Sequence, residues 1–175
     1  MYVPKHNQLQ DRAALLAYMR EYSFAALATS GPGGLMATHL PFVIEEEGGA
    51  ISLLAHMARA NPQWRDFAAG TEALVIFMQP HAYVSPRLYD SRQNVPTWNY
   101  VAVHAYGIPV LIEERAAKLE LQRKLIRQHD AAYLTQMAEL PESYVDAKLA
   151  AIVSFSIAVT RFDARYKLSQ DKNPA

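Results

Sequence analysis

The segment from His81 to Gly107, HAYVSPRLYDSRQNVPTWNYVAVHAYG, concentrates ring-bearing and amide side chains. If its two ends are strands, His81, Tyr83 and Ser85 share one face while Ala82 and Val84 share the other. Downstream, Ala102, His104 and Tyr106 face away from Val101 and Val103. Two such strands, joined by a loop carrying Trp98 and Asn99, make a wall for a flat heterocycle. An indole or phenol supplies a rigid surface for stacking, and an amide offers both donor and acceptor to a ring edge. The same residue types suit a subunit interface, with Tyr83, Trp98 and Tyr100 as its cluster, and spacing alone favours that reading.

Two further segments carry polar groups in suggestive places. In ATHLPF (37–42), Thr38, Leu40 and Phe42 share a face and His39 lies opposite. Pro41 cannot donate to a sheet ladder, so the strand is an edge or carries a bulge, leaving backbone groups free for a ligand's hydrogen-bonding rim or simply ending the strand. In HMARANPQW (56–64), His56, Arg59 and Asn61 precede a helix that Asn61 caps and Pro62 opens. Free N–H groups at a helix start, with an arginine beside them, form an anion site; capping by Asn61 with a solvent-facing Arg59 is the plainer alternative.

Other chemistries find no motif. There is no HExxH pair, no G-x-S-x-G turn, no P-loop or dinucleotide fingerprint, and no helix-turn-helix pattern. His39, His56, His81 and His104 fall in strand-like segments, and their convergence on a metal or haem is the minor alternative. The chain has no cysteine, which removes thiolate ligands and disulfides and fits a reducing compartment. Seventeen basic residues balance seventeen acidic ones, against a protein that holds DNA mainly by phosphate neutralisation. No apolar run is long enough to span a membrane, and a cytoplasmic location is expected.

The elements that must position these groups read as α+β, mainly β. Helices are expected over Leu9–Arg20, Pro62–Ala68, Glu113–Gln128 (Leu119, Leu125 and Ile126 inward) and Pro141–Leu149. Strands are expected over Ser23–Thr29, Leu35–Ile44, Ala50–His56, Glu72–Met78, Ala82–Ser85, Tyr100–Ile112 and Ala151–Phe162, with a polar tail from Asp163. Helices punctuate strands rather than alternating with them, which predicts one antiparallel barrel-like domain over residues 1–175.

Taken together, MYVPKH, ATHLPF, HMARANPQW, ALVIFMQPHAYVSP, VPTWNYVAVHAYG and YKLSQDK resemble the PaiB-like family of FMN-binding negative transcriptional regulators, in order along almost the whole chain. The resemblance implies a split β-barrel of the flavin-reductase and pyridoxamine-phosphate-oxidase kind, a homodimer with FMN at its interface. By the same resemblance Thr38, His39, Leu40 and Pro41 line the isoalloxazine, and His56, Arg59 and Asn61 surround the ribityl phosphate. Ser85, Trp98 and Asn99 complete the pocket from either subunit, and Lys167 adds a charge near the phosphate. Family members continue past KLSQ with a further polar tail, whereas this sequence stops at Ala175, so the tail is either absent or not included in it. Function then divides between an FMN-binding regulator, with direct DNA binding implied only by the family, and a flavin-dependent oxidoreductase of unknown substrate. In the latter, His39 and Tyr83 are candidate proton donors. A haem-binding relative of the same barrel is the third possibility.

Overall fold

Nine strands form two antiparallel sheets that share one core in the computed structural model, which describes residues 1–9, 11–89 and 93–170. The first sheet has the order β2-β1-β5-β6-β9: β1 is Phe24–Gly31, β2 Gly34–Pro41, β5 Ala73–Val84, β6 Thr97–Gly107 and β9 Arg161–Lys167. The second has the order β3-β4-β8-β7: β3 is Val43–Glu47, β4 Ala50–Ala58, β7 Pro109–Ile112 and β8 Ile152–Ala158. Alternate residues of both sheets point inward, and Leu27, Phe42, Leu53, Val75, Phe77, Val103 and Phe155 are wholly excluded from solvent. Each contributes about 1.5–3 kcal/mol by burial. The architecture is the mainly antiparallel α+β arrangement expected from the strand pattern, with the two-sheet form that the family resemblance implied.

Three expected strands are each two, because the chain turns a corner from one sheet into the other. Leu35–Ile44 breaks between β2 and β3 at Phe42, whose N–H goes to Ser23 O at 2.9 Å and whose ring packs between Phe77 and Phe155. Tyr100–Ile112 breaks at Ile108 between β6 and β7. Ala151–Phe162 breaks between β8 and β9, where Val159 N–H bonds Ile51 O in one sheet and Thr160 N–H bonds Tyr106 O in the other. The polar stretch after Asp163, expected as a tail, is thus most of β9. Gly107 sits at such a corner: a Cβ there would lie 2.3 Å from Ala158 O.

Conversely, Glu72–Met78 and Ala82–Ser85 are not two strands but the single β5, which changes register against β6 between Met78 and His81. Tyr18 braces this irregularity, accepting from Gln79 N at 3.0 Å and donating to Val101 O at 3.1 Å. Tyr18 belongs to α1 (Arg12–Glu21), which starts later than expected because Asp11 is its N-cap, accepting from Ala13 N and Ala14 N.

The segment after Asn61 is a 3-10 helix, Pro62–Ala69, ended by Gly70 in the left-handed conformation. Helix α2 (Arg115–His129) lays Leu121 and Leu125 on the second sheet beside Val43. Leu119 and Ile126, expected inward with Leu125, instead face α4 (Glu142–Ala150) and α3 (Tyr133–Ala138), a helix the sequence pattern did not suggest.

Candidate functional site

The ATHLPF and HMARANPQW segments meet through side chains. Asn61 caps the 3-10 helix, accepting from Gln63 N at 3.0 Å, and donates through Nδ2 to Thr38 Oγ1 at 2.9 Å. Gln63, wholly buried behind them, donates from Nε2 toward Leu27 O, Met36 O and Thr29 Oγ1, all within 3.0–3.1 Å. Thr29 in turn donates to Asp66 Oδ2 at 2.8 Å. This network locks the start of the 3-10 helix against β1 and β2. Because β2 is a sheet edge, as Pro41 required, its outer backbone groups remain open. His39 lies exposed on the outer face, its ring stacked on Phe24 at 6.3 Å. Leu40 is buried, so it can offer a ligand only its backbone.

A second group gathers where β5 and β6 run on past β1. From Met78 to Tyr83 every residue of β5 is exposed, and from His81 on, beyond β1, this strand pairs with Thr97–Tyr100 of β6. The result is a two-stranded arm. On it Trp98, 53% exposed, contacts the rings of Tyr83 and His81 at 5.9 and 5.8 Å. Lys167 Nζ donates to Trp98 O at 2.7 Å and to Thr97 Oγ1, and Asn99 Oδ1 accepts from Ser169 Oγ at 2.8 Å. Ser85 ends the strand, its hydroxyl accepting from Arg87 N at 3.3 Å. A cavity of about 350 Å³ adjoins, with His6, Arg165, Lys167 and Ser169 in its wall and no carboxylate among its described lining residues.

Arg165 and Ser169 were missed from sequence. Arg165 lays its guanidinium 5.4 Å from the Tyr100 ring centre, and its Nε is buried with no partner. The period-2 alternation of Arg161, Asp163, Arg165 and Lys167, which share the outer face with Tyr106, His104, Ala102 and Tyr100, was the available signal. On that face burial, and secondarily the Met1 ammonium, lowers the His104 pKa, while the bond from the same ammonium lowers that of Asp163.

His56 and Arg59 go elsewhere. His56 is on β4, facing α2, where Gln122 Nε2 lies 3.3 Å from its Nδ1. Arg59 donates from Nε to Ala150 O at 2.8 Å and from Nη2 to Ile152 O at 3.1 Å, tying down the end of α4. Of the expected phosphate trio, only Asn61 stands beside Thr38. The four strand histidines do not converge: His56 is on the far side of the second sheet, and no metal-binding group of three occurs among the described residues.

The two groups are also apart from each other. β2 and β6 are three strand spacings from one another, about 14 Å. Thr38 aligns through Leu27 and Val75 with Ala105, so Trp98 lies seven residues further along, about 23 Å. Their chemistry nonetheless suits an anionic flavin: aromatic faces, neutral donors and acceptors, the Lys167 ammonium and the orphaned Arg165 Nε.

Residues 1–161 match the family model described as "Putative FMN-binding domain". The chain belongs to this FMN-binding family. It is 38% identical over 176 residues to "Protease synthase and sporulation protein PAI 2" of Bacillus subtilis, covering 99% of this chain and 84% of that protein. The fold is shared with the flavocytochrome Anf3 of Azotobacter vinelandii (TM-score 0.75, 15% identity, 96% of this chain and 73% of that one). It is also shared with a Clostridium acetobutylicum protein of the pyridoxinephosphate oxidase family (TM-score 0.56, 9% identity, 90% and 89%). FMN is therefore the cofactor of this domain, and the PaiB relationship read from its motifs holds over nearly the whole chain. No described helix is long and apolar enough to cross a membrane.

Proposed function

We propose that the protein works as a homodimer in which each FMN is held between the Thr38–Asn61 group of one subunit and the Trp98–Asn99–Lys167 group of the other. The exposed arm carries this reading. A two-stranded hairpin is marginal by itself in water, yet this one displays Met78, Tyr83, Val95 and Trp98, each at least half exposed. The outer face leading to it has an apolar centre of Phe24, Ala26, Ala28, Leu74, Ile76 and Ala102, whose small residues allow close approach. A two-fold axis over that face brings each arm toward the other subunit's β2.

In such a site Trp98 and Tyr83 stack and exclude water, while Lys167 and Arg165 hold negative charge. The open edge of β2 and the Asn99 amide bond the ring rim, and Asn61 keeps Thr38 in place. Thr38, His39, Leu40 and Pro41 remain the candidates for the flavin's edge, Leu40 through its backbone alone. Ser85 borders the arm. Arg59 must leave the Ala150 and Ile152 carbonyls to reach a phosphate. FMN, once bound, supplies electron transfer at its ring system. His39 and Tyr83, exposed on the outer face, are the side chains able to move a proton beside it. The test is an absorption spectrum and a mass in solution for the purified protein: a yellow dimer with one FMN per subunit supports the reading, and a flavin-loaded monomer defeats it.

For the cellular role, the family resemblance favours a regulatory flavoprotein, the balanced charge favours indirect action, and the cysteine-free sequence fits a reducing cytoplasm. On the basic helix α2, three of five cations are already paired, Arg115 with Glu142 and Asp146, Lys124 with Glu45 and Arg123 with Glu120, which weakens the case for direct DNA contact. A mobility-shift assay across salt concentrations distinguishes the two, because saturable low-salt binding would restore direct repression. Anaerobic NAD(P)H addition tests the oxidoreductase alternative through bleaching of the flavin.

A further inference from the structure

Between the second sheet and helices α2, α3 and α4 lies a cavity of about 310 Å³, remote from the arm and from β2. Its walls are apolar, with Ile126, Met137, Leu140, Val145, Leu149 and Ile152 facing in. Only a few polar groups reach it. At its floor, Gln122 Nε2 approaches His56 Nδ1 at 3.3 Å; with the amide as donor, the imidazole carries its proton on Nε2. Burial lowers the His56 pKa, which keeps the ring neutral at physiological pH. At the mouth, Lys148 Nζ sits 5.1 Å from the Tyr144 ring centre, with no carboxylate partner among the described residues. No Asp or Glu lines the cavity. Arg59 fixes one wall by bonding Ala150 O and Ile152 O on either side of Ala151.

We infer that this cavity is a second, flavin-independent binding site, for a small carboxylic acid with an apolar body. The volume is at the lower end of what ligand sites use, so the body is one ring or a short chain. That body lies against Ile126, Met137 and Leu149, and the carboxylate pairs with Lys148 at the mouth. Its apolar packing supplies the attraction, and the acceptor-poor, carboxylate-free rim selects an anion over a cation. A polar substituent at the far end finds His56 Nε2–H. A site of this form suits an effector better than a reactant, because nothing within it is poised for chemistry and the flavin wall lies on the other sheet.

The experiment is calorimetric titration of the FMN-loaded protein with phenylacetate and, separately, with the uncharged 2-phenylethanol. Phenylacetate should bind saturably, one per subunit, with a Kd below about 1 mM. Lys148→Met, an exposed position that keeps the aliphatic stem, should weaken phenylacetate about tenfold or more and leave 2-phenylethanol unchanged. Val145→Trp, which fills the cavity, should remove both while FMN content stays at the wild-type level. Absence of saturable phenylacetate binding, equal loss of both ligands in K148M, or undiminished binding in a folded V145W protein would each overturn the assignment.

Discussion

Asn61 Nδ2 donates to Thr38 Oγ1 at 2.9 Å while Asn61 Oδ1 holds Gln63 N–H at 3.0 Å, so one amide joins an edge strand to the start of a 3-10 helix. The two roles separate by substitution. Asn61→Asp keeps the cap but cannot donate to Thr38; Asn61→Ala loses both. Urea unfolding should show a loss of about 1 kcal/mol for N61A and much less for N61D. FMN affinity should fall in N61A, which releases Thr38, and less in N61D, whose carboxylate can accept from the Thr38 hydroxyl.

Trp98 is the anchor of the exposed arm, and Trp98→Ala removes, besides its contacts with Tyr83 and His81, the half of its surface that its own subunit leaves exposed. The subunit should keep its secondary structure by circular dichroism. The dimer should weaken and FMN affinity should drop about 10- to 100-fold, as for a buried aromatic anchor worth about 1.4–3 kcal/mol. Sedimentation at several protein concentrations, followed by an FMN titration, reads both effects.

Tyr18 has its phenol pushed up to about 12, chiefly by burial. An unfolded tyrosine ionises near 10, so Tyr18 contributes stability fully present below that pH and lost as pH rises toward its folded value. Tyr18→Phe should remove part of the alkaline dependence, with Tyr166 and Tyr106, shifted in the same direction by burial, retaining the remainder. It also leaves Gln79 N–H and Val101 O unpaired, a cost of about 1–3 kcal/mol at neutral pH. Denaturant midpoints at neutral and alkaline pH provide the comparison.

Gly107→Ala places its Cβ 2.3 Å from the Ala158 carbonyl oxygen, and backbone cannot step aside as a side chain does. The corner between β6 and β7 should open, with a stability loss of about 1–3 kcal/mol or more. Thermal unfolding measures it. A Tm equal to wild type would mean the corner is looser than the close approach of Gly107 and Ala158 implies.

His56 is held below the ordinary histidine pKa by burial. Above pH 6.5 both folded and unfolded forms are neutral and its contribution is complete. As pH falls, the unfolded chain takes up a proton that the folded one refuses, and stability is lost. His56→Gln should flatten part of the acid slope of unfolding midpoints; His104, shifted in the same direction, retains the remainder.

Local signals revealed the elements and concealed their continuity. Asn61-Pro62 and Gly70 marked the 3-10 helix to within a residue, because caps act through nearest neighbours. The corner at Val159-Thr160 carries no Gly or Pro and the apolar pattern continues through it, whereas Pro41 beside Phe42, and Gly107 and Pro109 about Ile108, were signals that the long apolar runs overrode. The gap expected between Met78 and Ala82 is instead a change of register inside β5, which pairing with β6 carries across. At the site, the likeness of motifs identified the cofactor. It could not foresee that His56, Arg59 and Asn61, within six positions of one another, point to a cavity, a helix end and an edge strand respectively. Side-chain direction at the end of a strand is decided by what packs there, which spacing does not encode.

The composite flavin site is tested most directly by subunit complementation. N61A and W98A proteins, each deficient in FMN, are mixed, dissociated and reassociated. If Asn61 of one subunit and Trp98 of the other serve the same flavin, each mixed dimer regains one intact site, restoring roughly a quarter of wild-type FMN. Recovery near that level is the expected result; mixed dimers that bind no more FMN than the parents would contradict a site shared between subunits.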